Sequence, residues 1–140
     1  MSRVAVGVLA SGSGTNLKAI LDATAHDDYP ARVAVVISNR SDAGALDRAR
    51  RIGIPAVYLG KRDPPDRRAW DAACVATLRE HGVEWVCLAG HMRLVTDVFL
   101  DAFPWRVLNV HPALLPAFPG LDPQARALAA GARVSGCTIH

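Results

Sequence analysis

Two polar side chains interrupt an apolar run late in the sequence. Asn109 and His111 stand two residues apart in the segment 107–112, which reads Val-Leu-Asn-Val-His-Pro. Residues two apart in a strand face the same side, and Pro112 favours an extended backbone at His111. An amide donates hydrogen bonds to a developing oxyanion, and a histidine moves the proton of an attacking amine. The pair therefore predicts acyl or formyl transfer, and a locally bonded histidine beside a loop-capping asparagine is the structural alternative.

A glycine-rich segment near the start is the second candidate. Residues 11–16 read Ser-Gly-Ser-Gly-Thr-Asn. They join a valine-rich apolar run to a helical stripe, a set of apolar residues at helical spacing that begins at Leu17. Glycines let the backbone approach an anion, and the start of a helix offers free N–H groups with the positive end of its dipole. The segment predicts a phosphate-binding loop, and a tight turn capped by a polar side chain is the alternative.

The loop departs from the common nucleotide motifs. A dinucleotide fingerprint requires a third glycine where Leu17 stands, and an acidic residue after the second strand, where Ser38, Asn39 and Arg40 occur. Arg40 is suited to a 2′-phosphate, which keeps an NADP-dependent oxidoreductase open as an alternative. Because Gly14 is followed directly by Thr15, the Gly-Lys-Ser/Thr pattern of a P-loop is absent from the sequence.

Strand-like and helix-like segments alternate along the chain and would position these residues. Short apolar runs predict strands at 4–10, 33–37, 55–59, 85–89, 106–110 and 135–140. Helical stripes lie between them, with Pro64 and Pro65 opening the third helix and Gly82 ending it. This alternation predicts an α/β fold, a Rossmann-like and mostly parallel sheet with helices on both faces, in a single domain 1–140.

The bulk composition limits the function classes. With 140 residues and 51% hydrophobic residues, the sequence has the composition of a globular domain, without a signal-peptide layout or an apolar run of membrane-spanning length. We therefore expect a cytoplasmic protein that does not act at a membrane. The net charge of +3, with acids among the arginines, favours a small anionic substrate over nucleic acid. Cys74, Cys87 and Cys137 are expected to be buried small hydrophobes.

Four segments together resemble glycinamide ribonucleotide formyltransferase, and the resemblance runs from residue 4 to the end. The segments are 10–17 (Ala-Ser-Gly-Ser-Gly-Thr-Asn-Leu), 88–93 (Leu-Ala-Gly-His-Met-Arg), 108–112 (Leu-Asn-Val-His-Pro) and 114–116 (Leu-Leu-Pro). The resemblance implies transfer of a formyl group from 10-formyltetrahydrofolate to the amine of glycinamide ribonucleotide, a step of purine biosynthesis. It implies small-molecule substrates, no metal, and a monomer or homodimer.

The resemblance also implies roles for individual residues. The ribonucleotide phosphate would be held by Gly14, Thr15 and Asn16. Asn109 would polarise the formyl oxygen and stabilise the tetrahedral intermediate, while His111 would handle the amine proton. The formyl-folate would contact Arg67, Met92, Arg93, Leu94, Val95 and Asn109.

The sequence differs from the family pattern at several positions. Asp122 and Gln124 stand where many members carry a histidine, which puts contacts of that loop in question, and His91 stands where an aromatic is common. The resemblance predicts an aspartate shortly after His140, so that the C-terminal part of the domain is missing from the sequence. His140 itself is interpreted as a structural or surface histidine.

Three alternatives remain open beside the NADP-dependent oxidoreductase. A formyltetrahydrofolate hydrolase and a methionyl-tRNA formyltransferase share the Asn-x-His-Pro style of centre with this sequence. An inactive nucleotide-binding fragment is the third.

Overall fold

The computed structural model describes residues 2–60 and 66–140, in which strands and helices alternate. The elements are, in chain order, β1 Val4–Leu9, α1 Thr15–Thr24, β2 Ala31–Ser38, α2 Gly44–Arg51, β3 Ala56–Tyr58, α3 Arg67–Glu80, β4 Trp85–Leu88, α4 Asp97–Ala102, β5 Val107–His111, α5 Pro123–Ala129 and β6 Thr138–Ile139. Among the described residues, none of these helices combines the length and apolar character needed to cross a membrane.

The chain divides into two compact units, residues 1–107 and 108–140. In the first unit the strand order is β3-β2-β1-β4, and every pairing among these strands is parallel. In the second unit β5 and β6 pair antiparallel, with Val110 opposite Ile139 and His111 opposite Thr138. The predicted α/β fold with mostly parallel strands is confirmed. The single domain 1–140 stays a prediction.

The sheet of the first unit is buried on both faces, as the continuous apolar strands predict. Alternate residues of β1 enter different cores: Val6 and Val8 pack with Leu17 and Leu46, which lie on α1 and α2. Ala5 and Leu9, on the other face of β1, join the core formed with α3 and α4. The predicted placement of helices on both faces is therefore confirmed.

Few residues of the second unit are buried, and hydrogen bonds connect its loop to its strands. Its buried residues are Ala113, Pro123 and Ala127. The Thr138 hydroxyl accepts a hydrogen bond from the Leu115 N–H at 3.0 Å and donates to the Ala113 carbonyl at 2.7 Å. This hydroxyl therefore fastens the loop after β5 to β6.

Two sequence predictions need correction, and one lies outside the described residues. The predicted strand 135–140 shrinks to Thr138–Ile139, because residues 135–137 form no ladder and are exposed. Cys137 is consequently exposed rather than buried. Cys74 is buried as predicted, and this burial, together with Asp71, raises the pKa of its thiol. The helix opening assigned to Pro64 and Pro65 lies outside the described residues.

Candidate functional site

The glycine loop after β1 turns its carbonyls toward α2. The Gly12 carbonyl accepts from the Ala45 N–H at 3.2 Å, and the Ser13 carbonyl accepts from Arg48 Nε at 2.8 Å. Gly14 has φ +79°, and a Cβ at this position would lie 2.8 Å from the Ala45 Cα. Only glycine fits this left-handed position so close to another backbone. The loop is therefore shaped by its contacts with α2.

The start of α1 leaves donors available. Its first intrahelical bond runs from the Lys18 N–H to the Gly14 carbonyl at 2.7 Å, and no side chain caps this end. Within residues 2–60 and 66–140, no acceptor pairs with the N–H groups of Gly14, Thr15 or Asn16. Thr15 and Asn16 are exposed. Unpaired N–H groups at the positive end of a helix form a site for an anion.

The loop after β4 alternates between inward and outward side chains. His91 stacks on the Trp70 ring with centroids 5.4 Å apart, and the Arg93 guanidinium lies 5.4 Å from the centroid of the same ring. Met92 and Leu94 point the other way and are 66% and 76% exposed. The loop therefore presents a small apolar surface to solvent, and its polar side chains pack inward.

His91 is a half-buried histidine whose two ring nitrogens are both buried. Neither ring nitrogen has a hydrogen-bond partner in the described part of the chain. Burial lowers the pKa of His91 to about 4, which the nearby Arg93 charge reinforces and the Asp71 charge opposes. The ring is therefore neutral near pH 7 and packs as an aromatic side chain.

Two buried side chains, neither of them predicted from the sequence to link segments, connect the loops. Ser11, only 1% exposed, donates to Asn39 Oδ1 at 2.8 Å and accepts from the Met92 N–H at 3.0 Å. Asp71 is 2% exposed and accepts from both the N–H and the hydroxyl of Thr96. Asp71 could have been noticed in the sequence, because a carboxylate beside the buried stripe of α3 requires a partner.

Arg67 begins α3 and is exposed. The N-cap residue of this helix, Asp66, accepts a hydrogen bond from the Arg68 N–H at 2.9 Å, and Arg68 pairs in turn with Asp97. The Arg67 side chain makes no hydrogen bond to any described residue. The structure therefore leaves Arg67 accessible at the helix start, and its contact with a folate stays a prediction.

In the second unit Asn109 and His140 lie together. Their backbones exchange hydrogen bonds of 2.7 Å and 3.0 Å, and Asn109 Nδ2 is 3.1 Å from His140 Nε2. Because the amide nitrogen is a donor, His140 Nε2 accepts, so the ring carries its proton on Nδ1. His140, which the sequence analysis interpreted as structural or surface, therefore orients the amide of Asn109.

His111 is held by the loop that follows β5. Its Nε2 lies 2.8 Å from the Phe118 carbonyl oxygen. A carbonyl only accepts, so Nε2 carries a proton and Nδ1 is the basic nitrogen of the neutral ring. Phe118 has φ +50°, and Arg126 lies 5.9 Å above its ring and donates to the Pro119 carbonyl. Arg126 thus braces the segment that fixes the His111 tautomer.

Asp122 and Gln124, the two positions in this unit where the sequence differs from the family pattern, lie at the start of α5. Asp122 precedes α5 with φ +51°, and its side chain makes no capping hydrogen bond. Gln124 is exposed on the first turn of α5. Asp122 therefore acts in the fold through its backbone conformation alone.

The sequence is similar to proteins of known family. Residues 3–140 match the formyl transferase family. Phosphoribosylglycinamide formyltransferase of Bacillus subtilis is 37% identical over 133 residues, which is 95% of this chain and 68% of that protein. The trifunctional purine biosynthetic protein adenosine-3 of Drosophila pseudoobscura pseudoobscura is 43% identical over 141 residues, 99% of this chain. The chain spans 10% of the length of that trifunctional relative.

Solved structures agree with these matches. Glycinamide ribonucleotide transformylase 1 from Symbiobacterium toebii superposes with a TM-score of 0.95 at 55% identity, over 99% of this chain and 65% of that one. The enzyme of the same name from Geobacillus kaustophilus gives a TM-score of 0.94 at 40% identity, over 99% of this chain and 74% of that one.

Proposed function

We propose that this chain, which belongs to the formyl transferase family, takes part in phosphoribosylglycinamide formyl transfer. The formyl group would pass from 10-formyltetrahydrofolate to the amine of glycinamide ribonucleotide, in purine biosynthesis. The names of the relatives and of the solved neighbours support this choice of substrate. The proposed substrates are small molecules, the proposed compartment is the cytoplasm, and the proposed assembly is a monomer or a homodimer.

The observation that carries the proposal is the row of N–H donors at Gly14, Thr15 and Asn16. These donors have no acceptor among the described residues and stand at the positive end of α1. They suit the phosphate of a ribonucleotide, which is small, doubly charged and rich in acceptor oxygens. The left-handed Gly14 lies against Ala45 of α2, and glycine is required there for the turn that presents these donors.

The loop after β4 suits the formyl donor. Met92 and Leu94 expose apolar surface of the kind that covers an aromatic ring system. Val95 is half-buried beside them, and the Arg93 guanidinium stacks on Trp70. We assign Met92, Leu94 and Val95 to ring contacts, and Arg67, exposed at the start of α3, to the acidic tail of the folate.

Asn109 and His111 would perform the transfer. The amine would attack the formyl carbon, so negative charge develops on the formyl oxygen while the amine loses a proton. Collapse of this intermediate would break the bond between the formyl carbon and N10 of the folate, which takes up a proton and leaves as tetrahydrofolate. The Asn109 amide, oriented by His140, would donate to that oxygen. The basic nitrogen of His111 is Nδ1, because Nε2 donates to the Phe118 carbonyl, and Nδ1 would receive the amine proton.

The alternatives find less support in the described contacts. Arg40, which an NADP-binding site would require for the 2′-phosphate, pairs instead with Asp42 through two contacts of 3.3 Å. No described feature favours water or a tRNA as acceptor over a free ribonucleotide phosphate.

The direct test is a formyl-transfer assay with the full natural protein. Glycinamide ribonucleotide and 10-formyltetrahydrofolate are the substrates, with water and aminoacylated initiator tRNA as competing acceptors. The expected result is formylation of the ribonucleotide, saturable in both substrates. Hydrolysis of the donor without transfer, or transfer to the tRNA only, would replace this proposal with one of the sister activities.

A further inference from the structure

The loop after β4 is fastened at both ends by buried side chains. Ser11 accepts a hydrogen bond from the Met92 N–H at the start of the loop, and Asp71 binds Thr96 at its end. From this geometry we infer that Ser11 and Asp71 are positioning residues, which set the surface that Met92 and Leu94 offer to the formyl donor. The inference rests on the proposed function for the identity of that ligand.

Ser11 has a fully specified hydroxyl. Its proton goes to Asn39 Oδ1 at 2.8 Å, and its oxygen accepts from the Met92 N–H at 3.0 Å. The Ser11 backbone N–H donates to the Gly90 carbonyl at 3.2 Å. The residues that follow β1, β2 and β4 therefore meet at one side chain that is 1% exposed. A hydroxyl with donor and acceptor both satisfied in a buried place fixes its neighbours in one arrangement.

Asp71 performs the same task at the other end of the loop. One carboxylate oxygen, Oδ2, accepts from the Thr96 N–H at 2.6 Å and from the Thr96 hydroxyl at 2.7 Å. A carboxylate that is 2% exposed is tolerated only with such partners. Thr96 is also the N-cap residue of α4, so Asp71 fixes the point at which the loop ends and the helix begins.

The fixed ends determine which side chains face outward. Along this loop, His91 and Arg93 pack on Trp70, and Met92 and Leu94 are exposed. A shift of one residue would exchange the two sets and turn polar groups toward the ligand. Because Ser11 is also the first residue of the glycine loop, the same side chain that begins the proposed phosphate site holds the Met92 amide.

The experiment compares Ser11→Ala and Asp71→Asn with Ser41→Ala, an exposed serine between β2 and α2, in the full natural protein. Removing one member of a buried hydrogen bond leaves its partners unpaired, so we expect the KM for 10-formyltetrahydrofolate to rise about 10- to 100-fold in Ser11→Ala. The kcat should change far less, since neither residue touches the reacting atoms. Asp71→Asn keeps one acceptor and should give a smaller rise. A global loss of folded enzyme would instead lower kcat and leave KM unchanged.

Amide hydrogen exchange without ligands separates this inference from the proposed function. The Met92 amide should exchange about ten-fold faster in Ser11→Ala than in Ser41→Ala. If the parent protein transfers no formyl group but this contrast appears, the proposed function fails and the anchoring stands. Parent-like KM and parent-like Met92 exchange in Ser11→Ala would overturn the inference. Should that variant not fold, Ser11→Cys retains a weak hydrogen-bonding group, and an intermediate KM supports the inference whereas an unchanged KM overturns it.

Discussion

The loops of the first unit and the pair Asn109 and His111 of the second unit are held in different ways. The glycine loop and the loop after β4 are fixed by Ser11 and Asp71, which are 1% and 2% exposed, between two hydrophobic cores. Asn109 and His111 are half-buried and held by direct bonds to His140 and to the Phe118 carbonyl. The proposed substrate-binding loops are thus held by buried hydrogen bonds between packed cores, while the proposed reacting side chains are held by single hydrogen bonds at half-buried positions. Substitutions in the two units should therefore separate stability from rate.

The largest effect is expected at Asn109. Replacing Asn109 with Ala removes the proposed donor to the formyl oxygen, so kcat should fall about 10²- to 10³-fold. The free energy of unfolding should change by less than about 0.5 kcal/mol, because the backbone pairing with His140 does not need the side chain. Leu108→Ala, at the exposed neighbour on the other side of β5, should keep the parent kcat. Formyl-transfer kinetics measure kcat, and urea unfolding measures stability. A loss of stability in Asn109→Ala without a loss of kcat would contradict the difference drawn between the two units.

Gly14→Ala should lower stability rather than kcat, the converse of Asn109→Ala. The substitution places a Cβ 2.8 Å from the Ala45 Cα on a backbone with φ +79°. We expect a loss of about 1–3 kcal/mol in the free energy of unfolding, together with a higher KM for the ribonucleotide. Gly12→Ala is the matched control for stability, since no described atom lies within 4 Å of its added Cβ. Equal losses in the two variants would show that the left-handed turn is not what stabilises the loop.

His91 should make the first unit sensitive to acid. Its pKa is lowered to about 4 by burial, against an ordinary value of 6.5, so the unfolded chain binds a proton that the folded chain does not. This contribution to stability is complete above pH 6.5 and is lost as the pH falls toward 4. Between pH 7 and pH 5, the free energy of unfolding should therefore fall by about 2 kcal/mol more in the parent than in His91→Phe.

Urea unfolding at the two pH values measures this gain. The matched control is His26→Phe, because His26 is exposed. A gain of equal size in both variants would assign the acid sensitivity to histidines in general rather than to the buried ring.

The smallest effect is expected at Arg126. Its guanidinium braces Phe118, whose carbonyl accepts from His111. Exposed contacts of this kind contribute about 0.5–1 kcal/mol, so Arg126→Met should lower kcat about two- to five-fold. Arg133→Met, at an exposed arginine in the same unit, should leave kcat unchanged. A drop in kcat as large as that of Asn109→Ala would mean that Arg126 acts in the reaction itself.

The sequence predicted the fold class because the relevant signals are local. The alternation of apolar runs and helical stripes depends on neighbouring residues, and the parallel pairing of β1 with β2 and β4 confirms it. The glycine loop also lies at a helix start, as predicted. The roles assigned to Gly14, Asn109 and His111 stay predictions.

The anchors could not be predicted, because their partners are distant in sequence. Ser11 meets Asn39 and Met92, which are 28 and 81 residues away, and Asp71 meets Thr96, 25 residues away. Such pairings depend on the order of the strands. The length of β6 was overestimated for a related reason: within 135–140, pairing with β5 starts only at Thr138, and the residues before it find no partner strand in the described part of the chain.

The exposure of Cys137 has a practical consequence for observing the second unit. Burial raises the pKa of the Cys74 and Cys87 thiols, which keeps them in the unreactive protonated form. Cys137 is exposed and directly precedes Thr138, whose hydroxyl joins β6 to the loop after β5. A maleimide fluorophore would attach at Cys137 first, in the unmutated protein. Its emission would then report on the surroundings of β6 when the proposed substrates are added.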